Sequence, residues 1–282
     1  MPEIFLFSHV AMATRWHLRL AEVSQSDAEA AAQEAFAQID RLESLLSRFI
    51  ASSDISRVNA LKAGESIALR AETRACLAEA QKIAHLTRRA FDPTAGKLID
   101  FWKKQNRGNA ACESGFCEEM PEWREAFEDF RFGTLALGEN QEIRCVTAGA
   151  ALDLGGIGKG FALDSAAAIL REHNIKRALL SAGGSTILAL DAPPNAEGWK
   201  IGFSDETAPI FLANRAIGST GTQFLGNHIV DPRTGLPAIR KQTTRVLAPN
   251  ATEADALSTA FYVMTEHEIR AFLAEHPGIR RI

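Results

Sequence analysis

The chain has 282 residues, room for one large or two modest domains, and its 46% hydrophobic and 23% charged content supports a sizeable globular core. Lys and Arg number 31 against 35 Asp and Glu, a formal charge of −4, which excludes the basic excess of a general nucleic-acid binder. No stretch approaches roughly 18 uncharged apolar residues, so no transmembrane helix is expected.

Residues 4–14 carry no formal charge, but Glu3 precedes them, no basic residue does, and Arg15 follows at once. That pattern reads as a first strand rather than a secretory leader. Residues 27–49 are rich in Ala, Glu and Leu, with Leu42, Leu45, Leu46 and Phe49 at helical spacing, and predict a long amphipathic helix. Ser24 and Ser26 are its candidate N-caps. A second helix is expected over 74–89, ending before the turn Phe91-Asp92-Pro93-Thr94. Residues 103–121 have no period and contain Asn, Gly, Ser and two cysteines, which reads as a surface loop. A short helix is expected over 123–130.

The texture then changes. A short strand is expected over 150–154, followed by Gly155-Gly156-Ile157-Gly158-Lys159-Gly160 and a helix over 161–172. Further strands are expected over 177–181, 199–203, 210–213, 216–218 and 243–248, with helices over 253–264 and 266–275. Strands outnumber helix alternations in this half. The expected class is therefore α+β with mixed or antiparallel sheets, not a doubly wound parallel sheet. Four cysteines (Cys76, Cys112, Cys117, Cys145) form no CxxC pair. Reduced thiols and a cytoplasmic location are expected, whereas a bridge between Cys112 and Cys117 would need an oxidising compartment, and a removed leader a periplasmic one.

The glycine cluster after Asp153 fits neither a P-loop nor a dinucleotide fingerprint. Asp153 stands where the first P-loop glycine belongs, Gly160 where its hydroxyl belongs, and Phe161 where the last fingerprint glycine belongs. What remains is a flexible backbone before a helix N-terminus, which favours anions, or a plain glycine turn. Asp255 and Thr259 lie four apart on a predicted helix and share a face. Carboxylate plus hydroxyl suits a hard cation such as Mg²⁺, though a solvated Asp near a helix start has the same sequence. His228 precedes Asp231-Pro232-Arg233-Thr234-Gly235, good hairpin chemistry, and its unperturbed pKa suits proton transfer near neutral pH.

These segments, in order, resemble the ApbE family of FAD:protein FMN transferases. The resemblance lies in ALDLGGIGKGFALD, LLSAGGS, HIVDPRTGLP and EADALSTAF, preceded by Met12-Ala13-Thr14, Ser47-Arg48-Phe49 with Ser56 to Asn59, and Phe91 to Leu98 with Trp102 behind. It spans about residues 5–280 and implies one domain over 1–282, with a subdivision near 130–150. The implied fold is a compact α+β chain of mixed sheets flanked by helices, two subdomains enclosing the flavin nucleotide. The implied reaction is Mg²⁺-dependent: FAD is split at its pyrophosphate, FMN joins a Thr or Ser hydroxyl of a target flavoprotein by a phosphoester, and AMP leaves.

Carried over by position, the resemblance assigns Asp255 and Thr259 to the metal, with the Gly156 carbonyl and neighbouring Ser258. It assigns Met12, Phe49, Asp92, Pro93, Thr94, Asp153, Lys159 and Val230 to FAD, and His228 to deprotonation of the attacking hydroxyl. Departures are also visible. Phe49 stands where relatives often have Tyr, and the chain's one tyrosine is Tyr262. Ser181 to Ser185 replaces Asn-Ala-Gly-Gly-Asp, and Ser219-Thr220 replaces Thr-Ser. Only six residues separate Gly221 from His228, where relatives carry a longer hairpin. The alternatives are accordingly a Mg²⁺-dependent FAD pyrophosphatase with water as acceptor, and a non-catalytic FAD-binding protein.

Overall fold

A computed structural model of the chain describes residues 3–107, 120–138, 142–203, 208–221, 229–238 and 243–282. Strand β1 (Ile4–Ala11) reverses at Met12-Ala13 and returns as β2 (Thr14–Ala21), with Ile4 opposite Ala21. One strand over 4–14 was expected; the reversal escapes a sequence reading because Met and Ala are not turn residues by type. Both adopt left-handed φ, 49° and 56°, a conformation usually left to Asn and Gly.

Helix α1 (Gln25–Leu46) starts at Ser24, whose hydroxyl accepts from the Asp27 N–H, and buries Ala28, Ala31, Ala35, Ile39 and Leu42 at helical spacing. Next come α2 (Asp54–Asn59), β3 (Ser66–Ala68), α3 (Ala71–Leu86), α4 (Gly96–Arg107) and α5 (Pro121–Phe132). Strands β4 (Thr134–Leu137) and β5 (Glu142–Thr147) pair beside β3 in a small sheet, ordered β3-β5-β4. The second half runs α6 (Gly158–Glu172), β6 (Arg177–Ala182), β7 (Thr186–Ala189), β8 (Trp199–Ile201), β9 (Ile210–Leu212) and β10 (Arg215–Thr220). It closes with β11 (Val230–Asp231), β12 (Leu236–Pro237), β13 (Thr244–Ala248), α7 (Ala251–Val263), α8 (Glu266–Glu275) and β14 (Arg280–Arg281).

The main sheet has the order β1-β2-β6-β7-β10-β13-β14 and is antiparallel at every pairing. Its two faces are legible by alternation. Leu180, Ala182, Leu188, Ala216 and Val246 face α1, α6 and α7, which pack side by side, whereas Leu179, Ile187, Ala189 and Ile217 face the β8–β9 hairpin. Where both faces are covered, as at β6 and β7, the strands read as nearly continuous apolar runs, whereas β1 and β2 alternate with an exposed face. The α+β class is therefore as expected. Among the described residues, no helix is long and apolar enough to cross a membrane.

Two expectations fail. Residues 103–107 are not loop but the last turns of α4, because Leu98, Phe101 and Trp102 bury one face of that helix in a satellite core with Trp123 and Phe130 of α5. Residues 108–119, with Cys112 and Cys117, lie outside the described residues. Nor is 150–154 a ladder strand. One parallel bridge joins Ala151 to Ala95, and the Asn59 side-chain amide takes over the pairing, accepting from Leu152 N at 2.7 Å and donating to Leu152 O at 3.0 Å.

Helix α3 begins without a side-chain cap of its own. Fully buried Asp54 serves instead, accepting from Arg70 N at 2.9 Å, Thr73 Oγ1 at 2.8 Å and Arg70 Nη1 at 3.0 Å. Asp54→Ala leaves these donors unmet and should cost about 2–4 kcal/mol. Urea unfolding checks this, and an unchanged midpoint would refute the capping role.

Candidate active site

Of the candidate residues, Gly156, Lys159, Asp255 and Thr259 meet where the N-terminus of α6 packs against α7 and one end of the main sheet. No side chain caps α6, whose entry is the glycine run 155–160. Gly160 allows α6 to approach α7: a Cβ there would lie 2.2 Å from Ala251 O. Gly218 does the same for β10, where a Cβ would fall 2.0 Å from Ala254 O. These contacts bring Asp255 against both elements.

Asp255 is 4% exposed. Its Oδ1 accepts from Thr186 Oγ1 at 2.9 Å, its Oδ2 from Gly160 N at 3.0 Å, and Lys159 Nζ lies 3.9 Å away. Burial of the carboxylate is thus offset by two donors and a cation. Two further lone-pair positions remain on its oxygens. One helical turn on, half-buried Thr259 faces the glycine run, its Oγ1 3.1 Å from where a Cβ on Gly156 would stand. A side chain at Gly156 would close this space, and Phe91 forms its other wall at 3.4 Å.

Ser258 is placed differently. It is fully buried and donates to Asp255 O at 2.8 Å, while Thr220 Oγ1 lies 2.7 Å from Ser258 Oγ and 3.4 Å from Thr259 Oγ1. With its own proton committed, Ser258 accepts from Thr220, and this pair fastens α7 to β10. Ser219, next along the strand, points to the opposite face.

The donors around Asp255 are hard oxygens, and the described residues contain no cluster of three or more His, Cys, Asp or Glu. One carboxylate, one hydroxyl and nearby backbone oxygens fit a small, hard cation that keeps phosphate and water as its other ligands. Cys76, buried beneath the site, is no rival nucleophile. Burial and then the Asp255 charge push its thiol up to about 12.

The Asp92 segment joins this space through the backbone. Asp92 Oδ1 accepts from Thr94 N at 2.8 Å and Thr94 Oγ1 at 2.6 Å, and Pro93 O accepts from Asp153 N at 2.8 Å. Asp153 Oδ1 in turn accepts from Gly155 N at 2.8 Å, and Lys159 Nζ donates to Gly155 O at 3.2 Å. Asp92, Pro93, Thr94, Asp153 and Lys159 therefore form one connected rim. Met12 lies in the β1–β2 turn, against the β6–β7 turn. A Cβ on Gly183 there would fall 2.2 Å from Thr14 Oγ1.

Phe49 is 80% exposed beside Arg48, whereas Tyr262 is fully buried in α7 and cannot present its phenol in place of that ring. Val230 is only 6% exposed and packs into the satellite core, so its side chain contributes to packing. His228 lies outside the described residues.

Three positioning residues have no assigned role in the sequence reading. Arg48 bonds Asp153 Oδ2 at 2.9 Å and also pairs with Asp100. Thr186 orients Asp255 from β7. Asp164 of α6 accepts from Ala251 N at 2.9 Å, Thr252 N at 2.8 Å and Thr252 Oγ1 at 2.5 Å, holding the start of α7. Arg48 and Asp164 stood inside recognised motifs; Thr186 carried no local signal, since only β7–α7 packing gives it a partner.

Burial raises the Asp164 pKa against those hydrogen bonds. The folded state thus binds its proton more tightly than the unfolded state does. The resulting stability is complete below the unfolded value near 4 and is lost as pH rises through the raised folded value. Asp164→Asn should remove this dependence. Urea midpoints across mildly acidic pH should fall less steeply with rising pH in the variant; parallel curves would refute the assignment.

This α+β frame, with Asp255 held at one end of its main sheet, has counterparts among known proteins. The ApbE family model matches residues 12–282. Among curated relatives, the FAD:protein FMN transferase of Treponema pallidum is 27% identical over 90% of this chain and 76% of its own. That of Chlamydia muridarum is 25% identical over 95% and 86%. The solved ApbE protein of Thermotoga maritima superposes with a TM-score of 0.82 at 27% identity, covering 99% of this chain and 93% of that one. The Vibrio cholerae flavin transferase ApbE shares the fold, with a TM-score of 0.81 at 22% identity. The chain is a transferase by class. It belongs to the ApbE family.

Proposed function

We propose that the protein transfers FMN from FAD to a Thr or Ser hydroxyl of a target flavoprotein, with Mg²⁺ held at Asp255. The observation that carries this reading is the buried Asp255 carboxylate, fixed by Thr186 and Gly160 and facing, with Thr259, the uncapped start of α6. In the reaction the acceptor oxygen bonds to the FMN phosphorus, the pyrophosphate bond to the AMP oxygen breaks, and the hydroxyl proton goes to a base, for which His228 is the candidate.

Asp255 and Thr259 would hold the cation, which when bound neutralises charge on the pyrophosphate. Lys159 and the α6 N-terminus add positive potential for the same phosphates. Thr186, Asp164 and Arg48 hold these groups in place, and orientation accounts for much of such catalysis. Asp92 to Thr94, Asp153, Met12 and Phe49 would border the nucleotide.

The test is to incubate the protein with FAD and Mg²⁺, with and without a flavin-acceptor domain, following AMP and protein-bound flavin together. AMP with fluorescent acceptor on a denaturing gel is the expected result. AMP with free FMN and no attachment would make the protein a pyrophosphatase, and bound FAD without turnover a binding protein.

A further inference from the structure

An open cleft of about 730 Å³ lies between α5 and the β11–β12 turn. Its walls carry four arginines, Arg88, Arg89, Arg131 and Arg233, and among the described residues no acidic side chain lines them, in a protein whose net charge is −4. The rings of Trp123, Phe127 and Phe130 lie between them. Arg89 stacks over Phe130 at 5.1 Å and Arg131 over Phe127 at 5.7 Å, an arrangement that holds both guanidinium groups against the aromatic rings.

The backbone points the same way. Arg88 and Arg89 end α3 with left-handed φ of 50° and 63°. Glycine takes such positions without strain, whereas a side chain there is strained. Arg233 is matched by Asp231 and Glu268, and Arg89 by Asp92. Arg88 is exposed, and its side chain makes no hydrogen bond or ion pair among the described residues.

We infer that this cleft docks an acidic, extended segment of the acceptor protein, flanking its Thr or Ser. The inference rests on the transfer reading above. The cleft is open to solvent, which suits a surface segment of a chain more than an enclosed small molecule. It also adjoins the chemistry. Arg89 Nε donates to Asp92 Oδ2 at 2.6 Å, so one wall is anchored to the nucleotide rim. The opposite wall is the hairpin that follows position 228, clamped where the Trp102 and Trp123 indoles both donate to Gly235 O, at 2.9 and 3.0 Å.

The probes are a labelled short peptide with a central Thr flanked by Asp, and the same peptide with Asn for each Asp, titrated without FAD. The Asp peptide should bind in a salt-sensitive manner, and Arg88→Glu should weaken it about tenfold. Arg88→Lys should restore most of the binding, and Arg19→Glu, on the exposed side of β2, should leave it unchanged. Equal binding of the Asn peptide, an unaltered Kd in Arg88→Glu, or an equal loss in Arg19→Glu would overturn the proposal.

In transfer assays Arg88→Glu should raise KM for the acceptor and not for FAD. A raised KM for FAD would make the cleft a nucleotide site and defeat the inference. Specific peptide binding with no transfer to any acceptor would sustain the docking surface while the transfer reading falls.

Discussion

Asp255→Ala should lower Mg²⁺-dependent AMP release from FAD by about a thousandfold or more. The carboxylate is the acidic group that Thr186 of β7 and Gly160 of α6 both address, and among the described residues no cluster of three or more His, Cys, Asp or Glu could replace it. Loss of a charge-stabilising group at a phosphoryl centre is typically worth several kcal/mol of barrier. The same variant leaves Thr186 Oγ1 and Gly160 N without their acceptor, which should reduce stability by about 2–4 kcal/mol. Asp255→Asn separates the two effects. Its amide oxygen can still accept one of these bonds while the charge is gone, so activity should stay low although much of the stability returns. AMP release by chromatography and thermal unfolding of both variants check this, and an active Asp255→Asn enzyme would exclude a metal-holding role.

Gly160→Ala should be a strongly damaging single methyl group in the site. A Cβ there would meet Ala251 O at 2.2 Å, Ala251 C at 2.7 Å and Asp255 Cβ at 2.8 Å. Backbone atoms cannot turn aside as a side chain does, so α6 and α7 must separate, at a cost of about 3 kcal/mol or more. The Gly160 N–H then leaves Asp255 Oδ2, and activity should fall with stability. Gly158→Ala is the control. The nearest contact of its Cβ is Leu154 Cβ at 4.0 Å, and Ala is the better helix former, so stability should be unchanged or up to about 1 kcal/mol higher. If denaturant unfolding finds the two variants equal, close helix contact is not what Gly160 provides.

Much of the site was legible because its residues are local patterns. The glycine run with Lys159, the i, i+4 pair Asp255 and Thr259, and the Asp92-Pro93-Thr94 turn each contain, within a few residues, the spacing their geometry needs. Order along the chain then joined them into one family resemblance. Helices with strong amphipathic periods, such as α1 and α8, were equally visible, since burial of one face imprints a period.

What stayed hidden depends on partners distant in sequence. The Met12-Ala13 reversal has no turn residue to announce it, because the long β1–β2 ladder and the close approach of Gly183 to Thr14 impose it. Residues 150–154 look like a strand and act as a strap, because Asn59, 93 positions away in sequence from Leu152, supplies the bonds of a missing neighbour. The last turns of α4 read as loop because the helix is held by its earlier residues, Leu98, Phe101 and Trp102, against Trp123 and Phe130. Tertiary packing also gives Ser258 and Val230 surroundings that their positions in the sequence do not announce: the Ser258 hydroxyl links α7 to β10, and the Val230 side chain lies in the satellite core.

The sequence by itself determined the α+β class, the family and the chemical types at the site, since composition, period and motif order are properties of the chain alone. Tertiary structure decided which of those groups meet. A carboxylate becomes a usable, buried anion only where Thr186 and Gly160 donate to it and Lys159 stands near, and these four residues are collected from β7, α6 and α7 by packing. Likewise, four arginines scattered between positions 88 and 233 become one surface only when α3, α5 and the β11–β12 hairpin come together.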